Sequence, residues 1–305
     1  MILCCGEALI DMIPASLPDG LEAFIPHAGG AALNVAIAIG RLGAPAGLFT
    51  GLSHDMFGRQ LAIAAQESKV DISLAVRSDR PTTLAFVELI NGNARYVFHD
   101  ENSAGRMLTE QDLPDLPQSI DTLVFGGISL IHAPAADTYA QLARREAGRR
   151  CIVMDPNIRS GFVTDEAAYR ARLMGMLKVA DIVKISVDDL DWLLPETEDA
   201  LTALLALGPA LAVLTRGSEG ALAMHRDKWH VEVASRPTMV VDTVGAGDTF
   251  LAGMIVGAWE SGLLSRNAVE NITPNALREI LSFAAAAAGV SVSRAGANPP
   301  WRHEL

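Results

Sequence analysis

Val240-Val241-Asp242-Thr243-Val244-Gly245-Ala246-Gly247-Asp248-Thr249-Phe250 sets two β-branched residues, a turn of small residues and the start of an apolar helix in direct succession. It reads as a strand that delivers the chain into the turn and on into a helix over Gly245–Trp259. Gly245-Ala246-Gly247 leaves backbone N–H groups uncovered by side chains, and the helix dipole points its positive end at the same place. Such a turn is an anion hole. Asp248 stands in the first turn, a carboxylate beside a place built for negative charge. A helix-start role explains an isolated Asp there. It does not explain the adjacent glycines, so the segment reads as functional.

Outward from this segment, short apolar runs alternate with helical patterns. Upstream, Asp121–Phe125, Cys151–Met154, Ile182–Ile185 and Ala210–Leu214 read as strands. Between them Pro134–Arg145, Asp165–Leu177, Val187–Leu194 and Glu198–Leu207 read as helices. Ala221–His225 and Trp229–Val233 read as a hairpin, and Pro274–Ala288 as a closing helix. Toward the front, Ile2–Cys5 and Ala46–Thr50 are strands, with helices over Ala31–Leu42 and Met56–Gln66. The alternation means βαβ units: an α/β fold, a three-layer sandwich with a mostly parallel central sheet. Between Thr82 and Phe98 the pattern changes to two strands, Leu84–Ile90 and Ala94–Phe98, around the turn signal Asn91-Gly92-Asn93. With the stretch from Met12 it forms a small β lid, or else an antiparallel edge of the main sheet.

Ligands of an open parallel sheet bind outside the carboxyl ends of its strands. Those ends carry Gly126-Gly127, Asp155-Pro156-Asn157-Ile158-Arg159, Lys184-Ile185-Ser186 with Asp188-Asp189, and Thr215-Arg216-Gly217. Together they predict a site for a polar, phosphorylated ligand. Near the front, Gly29-Gly30 opens a helix on which Asn34 offers a donor and an acceptor to a hydroxyl, or else lies on an ordinary polar face. Asp11 offers two acceptor oxygens, or is an ordinary strand-end acid. Ser186-x-x-Asp189 reads equally as a helix cap and as a place where Asp189 holds Mg²⁺ through water. Gly253-x-x-x-Gly257 reads as close helix packing.

Composition narrows the class. The 305 residues are 50% hydrophobic and 20% charged, with a net charge of −12. This is a globular chain that needs no disulfide or metal staple. An acidic surface repels phosphate backbones, which argues against nucleic acid. Cys4, Cys5 and Cys151 sit in apolar runs, as buried thiols in a reducing compartment do. No basic leader precedes Ile2, and the apolar stretch from Ile280 to Val292 is too short to span a bilayer, so the expectation is a cytoplasmic protein with no membrane partner. There is no P-loop motif, and Phe250 stands where a dinucleotide-binding fingerprint needs its third Gly, which weakens an oxidoreductase reading.

The segment from Asp242 to Phe250, followed by Ala252-Gly253, resembles the C-terminal signature of the ribokinase/PfkB carbohydrate kinases. Gly29-Gly30 with Asn34-Val35-Ala36 and Arg41-Leu42-Gly43 resembles their N-terminal signature, and the likeness runs over nearly the whole chain. Gly6-Glu7-Ala8-Leu9-Ile10-Asp11-Met12, Pro81–Val87, Asp155–Arg159 and Lys184–Leu190 are further similar to the bacterial fructokinases of that family. Ser186-x-x-Asp189 departs from the wider family's Asn-x-x-Glu.

The resemblance implies one Rossmann-like αβα kinase domain over residues 1–305, with a lid from about 12–28 and 82–100. The implied reaction is transfer of the γ-phosphoryl of ATP to the 6-hydroxyl of D-fructose. A 2-keto-3-deoxygluconate kinase, a ribokinase or a nucleoside kinase is the alternative, and a sugar-binding sensor is disfavoured by the intact Asp248. A 2-keto-3-deoxygluconate enzyme needs a further cation, for which Arg159, Arg95 and Arg106 are candidates. Asp248 would be the base, and Gly245, Ala246 and Gly247 would stabilise the transferring group. Asp11, Gly29, Gly30, Asn34 and Arg159 would hold the sugar. Lys184, Ser186, Thr215, Gly217 and Gly220 would bind the nucleotide. Mg²⁺ would sit near Asp189, and K⁺ near Asp242 and Val244. The lid strands could pair two subunits into a homodimer.

Overall fold

The computed structural model describes residues 1–90 and 93–305, without the side chains of 88–95; the Asn91-Gly92 part of the expected turn and the Arg95 side chain lie outside the described residues. Ile2–Cys5 and Cys151–Asp155 are buried along their whole length, as strands covered on both faces must be. Side chains of a strand alternate between faces. Accordingly Ile2 and Cys4 enter one hydrophobic core while Leu3 and Cys5 enter the other. That alternation, repeated across the sheet, produces the three layers.

The central sheet has nine strands, in the order His230–Val233, Ala221–His225, Leu211–Thr215, Ile182–Ser186, Cys151–Asp155, Thr122–Gly126, Ile2–Cys5, Ala46–Phe49 and Val70–Asp71. Every pair from Leu211–Thr215 to Val70–Asp71 is parallel, and the hairpin adds two antiparallel strands at one edge. The helices Ala31–Arg41, Ala246–Glu260 and Pro274–Val292 cover one face; Ala135–Glu146, Glu166–Leu177, Val187–Leu193 and Ala200–Leu207 cover the other. Gly253 and Gly257 serve the expected close packing: a Cβ on Gly253 would come within 2.8 Å of the Ala284 Cα. Among the described residues no helix is long and apolar enough to cross a membrane.

The lid is a separate sheet of four strands in the order Glu22–Gly29, Leu9–Ser16, Leu84–Ile90 and Asn93–His99. It is not an edge of the main sheet. Leu17, Leu21, Phe24, Ile25 and Val97 are exposed on it.

One expected strand is absent. Val240 and Val241 are 60% and 56% exposed and belong to no sheet. The amides of Val241 and Asp242 donate instead to the Val292 carbonyl, at 2.8 and 3.2 Å. The segment is thereby anchored to the end of the helix Pro274–Val292, four residues longer than expected.

Candidate active site

Outside the carboxyl ends of Ile2–Cys5, Cys151–Asp155 and Ile182–Ser186, and under the lid, lies a cavity of about 330 Å³. Asp11, Gly30, Asn34, Arg159, Lys184, Val244, Gly245, Gly247 and Asp248 all line it. A larger open groove, about 1000 Å³, lies at the opposite ends of the strands. Its Arg145, Arg150 and Arg266 are already paired with Glu146, Asp181 and Glu270, and it contains none of the expected site residues.

Gly245 caps the helix Ala246–Glu260 with φ 73°, a left-handed conformation natural to glycine, and a Cβ there would meet Ala297 at 2.7 Å. Among the described residues nothing accepts from the amides of Gly245, Gly247 or Asp248. The Ala246 amide differs from expectation: it donates to the Thr243 carbonyl at 3.2 Å, because the left-handed Gly245 folds the turn back on itself. The amides left open in the candidate anion hole are therefore those of Gly245, Gly247 and Asp248.

Asp248 is 8% exposed, and each of its carboxylate oxygens faces an amide. Oδ2 accepts from Asn34 Nδ2 at 2.9 Å, and Oδ1 faces Asn157 Nδ2 at 3.5 Å. Burial pushes its pKa up; the Asn34 hydrogen bond opposes this, and the Asp155 charge adds to it. A raised pKa brings a carboxylate toward the working range of a base.

Asp11 packs where Gly29 lacks a side chain: a Cβ on Gly29 would overlap its carboxylate. Burial, and then the charge of Asp248, raise Asp11 to about 6, while Arg159 opposes the rise. Gly30 has φ 99° and a Cβ there would meet the Glu7 carbonyl at 2.7 Å, so the helix carrying Asn34 starts hard against the first strand's exit. Arg159 is exposed at the cavity's rim.

Lys184 is buried in the cavity floor, with Nζ 2.8 Å from Asp155 Oδ2. The expected nucleotide-binding set is thus split. Ser186 and Thr215 are register partners on neighbouring strands, and Gly217 and Gly220 flank the next turn, outside the cavity that Lys184 lines. Ser186 Oγ accepts from the Asp189 amide at 3.1 Å, a helix cap. Asp189 Oδ1 accepts from the Ile158 amide at 3.0 Å, tying two strand ends together. Asp242 accepts from the Val244 amide at 3.0 Å and the Gly296 amide at 2.8 Å.

Four residues at this cavity were absent from the expected set. Glu7 is a buried carboxylate whose oxygens accept from the amides of Ala31, at 3.0 Å, and Ser129, at 3.1 Å. Asn157 adopts φ 45° in the Asp155-Pro156-Asn157 strand end, a conformation Asn tolerates better than most residues. Tyr96 and Phe98 reach the cavity from the lid. Glu7 and Asn157 carried a local signal, each a polar residue two positions past a buried strand.

The sequence model of the pfkB family of carbohydrate kinases matches residues 1–304. The chain belongs to the pfkB family. A fructokinase from Rhizobium leguminosarum bv. trifolii is 49% identical over 280 residues, covering 91% of this chain and 86% of that protein. A fructokinase from Salmonella typhimurium is 32% identical over 266 residues, 85% of this chain and 84% of that protein. A crystal structure of fructokinase with bound ATP from Xylella fastidiosa superposes with a TM-score of 0.90 at 30% identity, covering 97% of this chain and 93% of that one. The αβα architecture expected from the alternation is thus the architecture of a pfkB kinase. In this pfkB kinase the two end signatures meet physically, since Asn34 and Asp248, 214 positions apart, share a hydrogen bond.

Proposed function

We propose that this pfkB kinase transfers the γ-phosphoryl of ATP to the 6-hydroxyl of D-fructose. The observation that carries the chemistry is Asp248, a buried carboxylate of raised pKa next to three amides with no acceptor among the described residues. Fructose as the acceptor is supported by the fructokinases of R. leguminosarum and S. typhimurium. ATP as the donor is supported by the ATP-bound fructokinase of X. fastidiosa.

In the proposed step Asp248 takes the proton of the 6-hydroxyl as that oxygen bonds to the γ-phosphorus. The bond from the γ-phosphorus to the bridging oxygen breaks, and ADP leaves with the electron pair. The Gly245 and Gly247 amides stabilise charge on the group in transit. Asp11, Gly30 and Asn34 hold the sugar, with Gly29 making room for Asp11 and Arg159 closing the rim. Ser186, Thr215, Gly217 and Gly220 line the nucleotide on the adjoining strand ends. Tyr96 and Phe98 shut water out when the lid covers the cavity, since water would compete as acceptor.

The residues fit a divalent ion that keeps its water. Among the described residues no three acidic, His or Cys side chains gather to enclose a metal. Among the described residues, however, Asp155 Oδ1 is buried without a partner, and Asp189 is pushed up by burial and then by the Asp155 charge. Asp189, through water, and Asp155 would hold Mg²⁺, which keeps much of its water shell. When bound it neutralises phosphate charge. Asp189→Asn is expected to raise the Mg²⁺ concentration for half-maximal rate several-fold; an unchanged titration leaves Asp189 only its ties to Ser186 and Ile158. Asp242, with a free lone pair on each oxygen, and the Val244 carbonyl have the donor chemistry for K⁺.

Measuring ADP release with Mg-ATP against fructose, ribose, 2-keto-3-deoxygluconate and adenosine tests the substrate. Fructose is expected to give the highest kcat/KM. Preference for 2-keto-3-deoxygluconate would overturn it and assign the carboxylate to Arg159, which lines the cavity where Arg106 does not. No turnover with any sugar would leave the sensor reading. Phe24 and Ile25 are 46% and 49% exposed on the outer lid strand, which supports a homodimer through the lid. Light scattering should then read about twice the 32.3 kDa chain mass, and a monomer would refute the pairing.

A further inference from the structure

A lysine inside a central parallel strand needs a reason. Lys184 and Asp155 are 6% and 5% exposed, and their contact is 2.8 Å. A buried ion pair of this kind rarely stabilises a fold more than two well-packed apolar side chains would, because both charges lose their water. The polar valences of the pair are also not used up. An ammonium has three donors, yet among the described residues only Asp155 accepts from Lys184, and Asp155 Oδ1 has no partner at all. The pair therefore does not look inward to a closed network.

What Lys184 does border is the cavity. Along its strand, Ile182, Lys184 and Ser186 share one face, and Ile182 belongs to the core under the helix Ala246–Glu260. Lys184 accordingly rises beneath the first turn of that helix. Gly247 is open on this side: a Cβ there would come within 3.1 Å of Lys184 Nζ. The glycine leaves a clear path between a buried cation and the amides of the anion hole. Burial lowers the lysine's pKa, but the Asp155 carboxylate outweighs it and the net shift is upward, so the cation persists at neutral pH.

We propose that Lys184 is a catalytic residue that donates a hydrogen bond to the phosphoryl group in transit, and that Asp155 holds its ammonium in position between turnovers. The proposal rests on the kinase reading above. Lys184 keeps all its protons through the step. The proton released by the sugar goes to Asp248, the new oxygen–phosphorus bond forms as the old one breaks, and ADP takes the electron pair. Arg159, the cation that the sequence singled out near this strand end, is exposed at the rim. A buried ammonium acts in a lower effective dielectric and needs no reorganisation, so its effect on developing charge is the larger.

The test compares Lys184→Met with the double variant Lys184→Met/Asp155→Asn, which leaves no bare buried carboxylate. In both, kcat at saturating Mg-ATP and sugar is expected to fall about 10²- to 10³-fold, as for loss of one transition-state donor. The KM for sugar and the affinity for ADP, both at saturating Mg²⁺ because Asp155→Asn can raise the Mg²⁺ requirement, should stay within about threefold, the pattern of an interaction made only during transfer. Binding of Mg-ADP with fluoroaluminate, a mimic of the group in transit, should weaken in step with kcat. A folded double variant whose kcat stays within about tenfold of the parent overturns the proposal. So does one that loses Mg-ADP affinity as steeply as rate, which makes Lys184 a nucleotide-holding residue. The parent enzyme is assayed first on the sugar panel. If it turns over a different sugar, fructose falls and Lys184 is tested on the sugar found; if it turns over none, the kinase reading falls and the fluoroaluminate comparison alone judges Lys184.

Discussion

Asp248→Asn is expected to leave a folded protein that binds ATP normally and turns over about 10³-fold more slowly, within the span lost with a general base. The substitution is nearly isosteric. Its carbonyl oxygen can keep the hydrogen bond from Asn34, and its new amide can face Asn157, whose own amide needs only to turn over. Only the ability to take a proton is removed. The same variant is expected to melt at a higher temperature than the parent at neutral pH. Burial raises the folded pKa of Asp248 above its ordinary value of 3.8. A carboxyl raised on folding favours the fold fully below the unfolded pKa, and that contribution is lost as pH rises through the folded one. At pH 7 the ionised group therefore opposes folding, and a permanently neutral amide relieves it. Lower activity with a higher Tm is the signature of a group kept for chemistry at a cost in stability. Near-parental kcat in Asp248→Asn would remove the base from the mechanism.

Much of this site was legible because its parts lie at places where local pattern and global topology coincide. The parallel strands declare themselves, since Ile2–Cys5 and Cys151–Asp155 are apolar on both faces, and a ligand site follows from their carboxyl ends. The candidate anion hole declares itself too, because the left-handed Gly245 is required by backbone geometry that depends on a few neighbouring residues. What could not be read was decided by partners distant in sequence. Val240 and Val241 have strand chemistry, but a strand also needs a partner strand, and the Val241 amide is taken instead by the Val292 carbonyl at the end of a helix distant in sequence. Ala246 lost its place in the anion hole to the Thr243 carbonyl once the turn closed. Tyr96 and Phe98 alternate like any lid strand, and nothing local says which face meets the cavity. Lys184 was grouped with Ser186 by adjacency along the chain. Its environment is set instead by Asp155 on the neighbouring strand and by Gly247, 63 positions on.

The second large effect belongs to the sugar side. Asp11→Ala is expected to raise the KM for sugar about 10²-fold or more with a smaller change in kcat, because a carboxylate accepting from two hydroxyls makes charge-assisted hydrogen bonds of about 1.5–3 kcal/mol each. The pH dependence separates binding from mere packing. Asp11 titrates near 6, chiefly through burial and then through the charge of Asp248. Above that pH it accepts twice; below it one oxygen carries a proton and the pair of acceptors is lost. The KM for sugar should therefore climb as pH falls through about 6, while kcat follows Asp248. In Asp11→Asn, which keeps the shape but cannot ionise, KM should be high and flat across that range. Stability gives an independent check of sign. The folded pKa of about 6 lies above the ordinary 3.8, so ionised Asp11 opposes folding at neutral pH and protonated Asp11 does not. Asp11→Asn should accordingly raise Tm at pH 8 and leave it nearly unchanged at pH 4. A KM that stays flat in the parent from pH 8 to pH 5 would detach Asp11 from the sugar, whatever the alanine variant does.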